Sequence, residues 1–224
     1  MQNKLSVVFF GATGAVGSVA FHHLLTKNNL SKLLTLGRRS VESSQPPSFL
    51  DQQVIDIHTP SSYSNLITDF DTAICTLGVG EPSKISKQDF IKIDKTAVLN
   101  FAKVCKEKGV KQFHLLASVG TNSSSYNYYL RAKGELIDEL VKLNFDRLCI
   151  YQPSMILTPK NRYGITQAIT LKVWPKLDPV FQNGLRKYRG ITVEKLGKSI
   201  ANNISEEGTG IEYLLYDDFL RLQD

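Results

Sequence analysis

The run Gly11-Ala12-Thr13-Gly14-Ala15-Val16-Gly17 follows directly on a short apolar stretch, Leu5–Phe10, and opens a stretch with helical spacing, Ala15–Leu25. Glycines spaced G-x-x-G-x-x-G between a strand and a helix leave few folds open. Glycine permits the tight turn, lets backbone N–H groups approach a pyrophosphate, and the helix N-terminus adds partial positive charge. A glycine triplet alone is a weak signal, and a turn chosen only for helix–strand packing is the competing reading. As the first strand–turn–helix of an alternating chain, it predicts a dinucleotide site using Gly11, Thr13, Gly14, Ala15, Val16 and Gly17.

That alternation continues along the chain. Short β-rich runs at residues 33–36, 54–57, 72–77, 113–117 and 148–151 are separated by helical spacing, notably at 90–108 and 128–143. Buried strands alternating with helices predict an α/β fold, a Rossmann-type doubly wound parallel sheet in one domain spanning 1–224. Residues 40–49, rich in Ser and Pro, read as an open crossover loop. Residues 192–204 read as a helix and 212–215 as a last short strand. Between them, 156–190 lose periodicity and are expected to cap a substrate cleft beyond the strand ends. Trp174, Tyr163 and Phe181 either line that cleft or belong to the core.

Composition narrows the class. The 224 residues are 42% hydrophobic and 21% charged, enough to bury a core, and no apolar run reaches the roughly 20 residues of a membrane helix. No secretory signal is expected. The net charge of +6 is spread along the chain, and Lys103, Lys106, Lys108 and Lys111 fall where lysines offset a helix dipole. Without an aromatic-basic platform, nucleic-acid binding ranks last. Cys75, Cys105 and Cys149 read as reduced core residues of a cytoplasmic protein, without metal-ligand spacing. His22 and His23, adjacent on one helix, cannot chelate a metal as an i, i+4 pair does, and His114 reads as a satisfied core or face residue of the fifth strand.

Three strand ends contribute to the expected cleft. The second closes on Gly37-Arg38-Arg39 with no acid to meet a ribose 2′-hydroxyl. Arg38 and Arg39 instead suit a 2′-phosphate, so NADP(H) is the expected cofactor. The third closes on Asp56-Ile57, expected to flank adenine. At the fourth, Leu77, Gly78 and Val79 are expected to let ribose and nicotinamide lie against backbone.

Within Tyr126-Asn127-Tyr128-Tyr129-Leu130-Arg131-Ala132-Lys133, only Tyr129 has a lysine four residues on, placing Tyr129 and Lys133 on one helical face. An ammonium beside a phenol favours phenolate, an arrangement suited to moving a proton to or from an alcohol or carbonyl. Ser118 ends the fifth strand on the same edge, where its hydroxyl could hold the substrate oxygen. A Tyr-x-x-x-Lys pair alone is usually a half-exposed helix face; with the glycine turn and Ser118 in order it gains meaning.

These residues resemble an atypical, NAD(P)-binding short-chain dehydrogenase/reductase. Phe90-Ile91-Lys92-Ile93-Asp94, Phe113 to Ser118, Tyr129 to Glu135 and Asn144-Phe145-Asp146-Arg147 are similar to the Tat-interacting-protein oxidoreductase branch, over roughly residues 5 to 158. The resemblance implies a Rossmann fold, NADP(H) at the glycine turn and a Ser118, Tyr129, Lys133 triad. Family members include working enzymes and redox-responsive regulators. Where the family often reads Arg-Pro-Gly, this chain has Gln152-Pro153-Ser154. The leading expectation is hydride exchange between nicotinamide and a small carbonyl or alcohol substrate, with Lys133 also holding the nicotinamide ribose. The alternative is an NADP(H)-sensing regulator with little turnover. An assembly of identical subunits is compatible with the sequence.

Overall fold

Side chains alternate across a strand, so an apolar run such as Val7-Val8-Phe9-Phe10 can serve two cores at once, one on each face of a sheet. Val8 and Phe10 join Leu34, Leu36, Phe101, Phe113 and Leu148 on one face. Val7 and Phe9 join Leu33, Ile74, Cys149 and Tyr151 on the other. The computed structural model describes residues 4–43, 45–158 and 181–223.

The strands are β1 (Leu5–Phe10), β2 (Leu30–Gly37), β3 (Leu50–Val54), β4 (Thr72–Cys75), β5 (Gln112–Leu116), β6 (Arg147–Tyr151) and β9 (Gly210–Leu214). They form one sheet in the order β3-β2-β1-β4-β5-β6-β9, with all pairs parallel. Helices α3 (Val98–Glu107) and α4 (Tyr128–Lys142) cover the first face, and α1 (Ala15–Leu25), α5 (Val193–Asn203) and α6 (Tyr216–Arg221) the second. The short α2 (Lys87–Ile91) precedes α3. The chain leaves β1 for β2 on one side and returns to β4 on the other. That reversal opens a crevice at the carboxyl ends of β1 and β4, the place where such sheets bind ligands. The Rossmann-type fold expected from the sequence is therefore present.

Several boundaries differ from the sequence reading, each for a physical reason. The third strand is Leu50–Val54, not 54–57. It is the sheet edge, half exposed, so it lacks the apolar run that marks a central strand. Ile55 and Ile57, which supplied that signal, lie just beyond it with their side chains in the core. The Gln52 amide accepts from Val41 N–H (2.8 Å) and donates to Val41 carbonyl (3.0 Å), stitching the 38–49 connection to the edge. The expected helix over 90–108 is broken by a π-helical turn, Lys92–Ala97, between α2 and α3. Extra helical turns of this kind often accompany functional sites. The fourth strand ends at Cys75 rather than 77, the last begins at Gly210, and α6 was not foreseen.

Little of 156–190 falls among the described residues. Ile156–Leu157 (β7) pairs in parallel with Ile191–Thr192 (β8) as a separate small sheet. Trp174 and Tyr163 lie outside the described residues. Phe181 packs against Tyr188, with ring centroids 6.4 Å apart.

A buried polar network holds the β6 and β9 side of the sheet. Arg147 spends all five N–H donors. Its Nε and Nη2 reach the Glu212 carboxylate at 2.8 and 2.9 Å, Nη1 reaches the carbonyls of Asn203 and Glu206, and Nη2 also reaches Asn203 Oδ1. Asn203 Nδ2 then donates to the Tyr151 hydroxyl, which lies 2.8 Å from His114 Nδ1. Burial pushes the imidazole down to about 3, so His114 is a neutral core residue, as expected from the sequence.

Candidate active site

Each glycine of the turn meets a specific demand. Gly11 has φ +99°, and a Cβ there would lie 2.5 Å from Leu77 N. Gly11 thus lets β1 turn hard against the end of β4. A Cβ on Gly17 would sit 2.2 Å from the Gly11 carbonyl oxygen and 2.6 Å from Thr76 Oγ1. That hydroxyl donates to the same carbonyl at 3.0 Å, closing the turn from the β4 side. Gly14 is the N-cap of α1; no side chain caps it, and no acid stands in the first turn. The first N–H groups of α1 thus face the cleft unclaimed by a side-chain cap, which fits a phosphate-bearing ligand. Gly17→Ala is expected to cost about 1–3 kcal/mol through overpacking against rigid backbone. Urea unfolding reads this directly, and a parent-like midpoint would contradict it.

A cleft of about 500 Å³ opens over the turn. It is lined by Gly14, Ala15 and Val16 of the turn, by the Thr76–Glu81 segment, and by Tyr129, Lys133 and Asp94. Asn127 starts α4: its side-chain oxygen accepts from Tyr129 N at 2.9 Å and Leu130 N at 3.5 Å. The first turn of α4 then packs on Phe90, whose ring lies 5.3 Å from Tyr129 and 5.7 Å from Tyr128. At Gly134 a Cβ would lie 2.2 Å from Ser123 N, so glycine lets the β5–α4 loop press directly on the helix beside Lys133.

Lys133 is buried, with Nζ 2.8 Å from Asp94 Oδ1 and 5.8 Å from the Tyr129 ring centroid. Burial works against its ammonium, but Asp94, together with Tyr129, outweighs it and holds the lysine above its ordinary value. Cys75, at the end of β4, is pushed up to about 12 by burial and stays a thiol.

Of the residues the sequence singles out, Tyr129, Lys133, Gly14, Ala15, Val16, Leu77, Gly78 and Val79 line one cleft. Gly11, Thr13 and Gly17 shape the turn without lining the cleft. Arg38 and Arg39 are exposed just past β2, and among the described residues neither makes an ion pair. Ser118 is half-buried after β5, does not line the cleft, and turns its hydroxyl to the Val119 carbonyl at 3.4 Å. Asp56 and Ile57 differ most from expectation. Asp56 is exposed and closes its own turn, accepting from His58 N (3.0 Å) and Thr59 Oγ1 (2.7 Å); those bonds hold its carboxyl below the usual range. Ile57 is 2% exposed, spent in the core rather than offered to adenine.

Gln152, which stands where the resemblance has arginine, donates to Thr121 Oγ1 at 2.9 Å. The sequence reading missed the structural parts played by Thr76, Asn127, Gly134 and Asp94. For Asp94 a signal existed. Phe90, Asp94, Val98, Phe101 and Cys105 share one helical stripe, so an acid stood on a face otherwise apolar.

A family model described as NAD(P)H-binding matches residues 11–170. The chain belongs to the NAD(P)H-binding family. Protein HTATIP2 of Rattus norvegicus is 30% identical over 216 residues, 96% of this chain and 87% of that one. Protein FMP52 of Candida albicans, named as mitochondrial, is 31% identical over 179 residues, 77% of each chain. A putative NAD-dependent epimerase/dehydratase from Bacillus halodurans superposes with a TM-score of 0.68 at 19% identity, covering 98% of both chains. The Citrobacter triphenylmethane reductase complexed with NADP(H) gives 0.62 at 14% identity, over 95% of this chain and 70% of that one. At such identities the two structures speak to the fold alone. The resemblance to the Tat-interacting-protein branch and the NAD(P)H-binding family fold read from the sequence are borne out. Among the described residues no helix is long and apolar enough to cross a membrane, and no cluster of three metal-ligand side chains occurs.

Proposed function

We propose that the protein is an NADPH-dependent oxidoreductase acting on a small carbonyl or its alcohol. The observation that carries this reading is the shared cleft, which Tyr129 and a buried, charged Lys133 line together with Gly14, Ala15 and Val16 of the glycine turn. Gly14, Ala15 and Val16 would receive the pyrophosphate, and Leu77, Gly78 and Val79 the nicotinamide ribose. When bound, the cofactor supplies or accepts the hydride. Tyr129 Oη gives a proton to the substrate oxygen in reduction and takes it back in oxidation. Lys133 stabilises the phenolate left behind and hydrogen-bonds the ribose. Ser118 orients the substrate oxygen once its hydroxyl rotates away from Val119. The test is NADPH oxidation across a panel of small aldehydes and ketones, with turnover on at least one expected.

The second reading, an NADP(H)-binding regulator with little turnover, is favoured by one observation: Ser118 stands outside the cleft lining. Tight NADPH binding with no oxidation on any compound would select it. The three free, buried cysteines suit a reducing compartment, the cytoplasm in the sequence reading. The fungal relative's name makes the mitochondrion the alternative, and cell fractionation distinguishes the two.

Preference for NADP(H) rests on Arg38 and Arg39, since the two nucleotides differ only by the 2′-phosphate. No acid stands at the end of β2 to repel it, and among the described residues neither guanidinium group makes an ion pair. Each well-placed charge-assisted contact is worth about tenfold. The parent is expected to bind NADPH at least about tenfold more tightly than NADH, and Arg38→Ala with Arg39→Ala to erase most of that preference. Equal affinities in the parent by isothermal titration would end the assignment.

A further inference from the structure

Glu81 lines the cleft, yet its carboxylate does none of the work an acid at this place usually does. It is the N-cap of the 3₁₀ turn Pro82–Lys84, where a side-chain oxygen commonly accepts from the turn, and it makes no such bond. Lys84 Nζ lies 2.9 Å from Oε2 without the alignment of a hydrogen bond. Among the described residues Oε2 has no hydrogen-bond partner, although it is closed off from solvent. The Lys84 side chain is 63% exposed against 23% for Glu81, and an exposed i, i+3 ion pair of this kind contributes little. A shielded carboxylate oxygen that accepts nothing is costly unless a bound molecule completes it.

The turn after Glu81 is tied to the start of α4, where the Tyr128 hydroxyl donates to the Pro82 carbonyl at 3.5 Å. Glu81 is thereby fixed relative to the helical turn that carries Tyr129. Three side chains lining the cleft bear charge: Glu81, Asp94 and Lys133. Asp94 and Lys133 neutralise each other across 2.8 Å. Lys84 stays outside the lining, as does Lys87, whose ammonium lies 5.2 Å over the Tyr128 ring. The charge left over in the lining is that of Glu81, and it is negative.

We propose that Glu81 sets the substrate class of this cleft: its Oε2 accepts from a cationic nitrogen carried by the substrate, while the substrate carbonyl meets Tyr129. The favoured compounds are amino ketones and amino aldehydes, and oxo acids are turned away. The inference rests on the oxidoreductase reading of the same cleft and leaves the step at the carbonyl unchanged. An ammonium supplies the donor that Lys84 does not align, whereas a carboxylate would stand against a like charge in a partly desolvated site. Glu81 touches no reacting atom and acts on selectivity alone.

The experiment is steady-state NADPH oxidation at pH 7 with two sets of probes that differ mainly in charge. The short set is dimethylaminoacetone, hydroxyacetone and acetoacetate. The long set is the benzaldehydes carrying dimethylaminomethyl, hydroxymethyl or carboxymethyl opposite the aldehyde. The readout is the ratio of kcat/KM for the cationic member over the anionic one. In at least one set the parent ratio is expected to be about tenfold or more. Glu81→Gln keeps the shape and is expected to bring the ratio within about twofold of unity, and Glu81→Lys to invert it. Lys84→Ala removes the competing ammonium and is expected to raise the ratio about twofold. A merely structural Glu81 would lower turnover of all three compounds alike and leave the ratio in place, which overturns the inference. Should Glu81→Gln not fold, the exposed Lys84→Ala decides, and an unchanged ratio there overturns it too. A parent ratio near or below unity overturns the inference and leaves the oxidoreductase reading standing. A parent that oxidises NADPH with no carbonyl of any charge overturns that reading and this inference with it.

Discussion

Tyr129→Phe is expected to remove about 10²- to 10⁴-fold of turnover, the usual worth of a positioned proton donor, while NADPH affinity stays within about twofold of the parent. The phenylalanine ring fills the same space against Phe90, and α4 keeps its Asn127 cap, so neither the helix nor the cleft should shift. Only the phenolic oxygen disappears, and with it the proton path to the substrate. Steady-state NADPH oxidation with any accepted carbonyl, paired with fluorescence titration of the cofactor, separates the two effects. Parent-level turnover in the variant would remove Tyr129 from the chemistry. A parallel loss of cofactor affinity would make its role one of binding instead.

Arg147→Met is expected to destabilise the fold by about 3–5 kcal/mol, as removal of one partner from a buried ion pair commonly does. Its guanidinium is the junction through which Glu212 on β9, Asn203 on α5 and the Glu206 carbonyl are held to β6. Methionine fills the volume but takes away the donor to Asn203 Oδ1 and both guanidinium donors to Glu212, whose carboxylate keeps only the Cys149 thiol at 3.6 Å. The hydrogen bond from Arg147 also holds the Glu212 carboxyl below its usual range. Its stabilisation is therefore complete above the ordinary carboxylate value and is lost as pH falls through the lowered one. His114 adds a second acid-sensitive step with the same sign. It is neutral in the fold, pushed down to about 3, whereas an unfolded chain protonates near 6.5, so stability declines as pH drops from about 6.5 toward 3. Urea unfolding of the parent and Arg147→Met from pH 8 to 4 measures both. A difference under about 1 kcal/mol at pH 7 would mean that the network is energetically idle.

The fold was legible where periodicity and burial agree. Central strands buried on both faces read as apolar runs, and β1, α1, β5 and β6 fell within a residue or two of their sequence positions. The edge strand β3 did not, because half-exposed backbone pairing leaves no apolar signature and Ile55 and Ile57 imitated one. The glycine turn and the Tyr129–Lys133 pair were readable because each depends on local spacing. Asp94 showed only as an acid on an apolar stripe; its partners, Lys133 and Val79, were hidden because they come from other elements. Ile57 was misdirected for the opposite reason: its place at the end of an apolar run suggested a ligand contact, and the core claimed it.

The loops leaving β5 and β6 are joined like the teeth of a zip. Ala117 N–H donates to the Tyr151 carbonyl at 2.8 Å, Val119 N–H to the Pro153 carbonyl at 2.9 Å, and Gln152 Nε2 to Thr121 Oγ1. Ser118 lies between the first two of these bonds, so its place is dictated from the neighbouring strand rather than by its own loop. Anyone re-aiming the cleft toward a new molecule by grafting residues after Pro153 would be steering Ser118 at the same time, and swapping Gln152 for arginine would unfasten the top tooth. The placement of Ser118 and the course of the chain after Pro153 share one piece of mechanical linkage, and neither can be moved without re-seating the other.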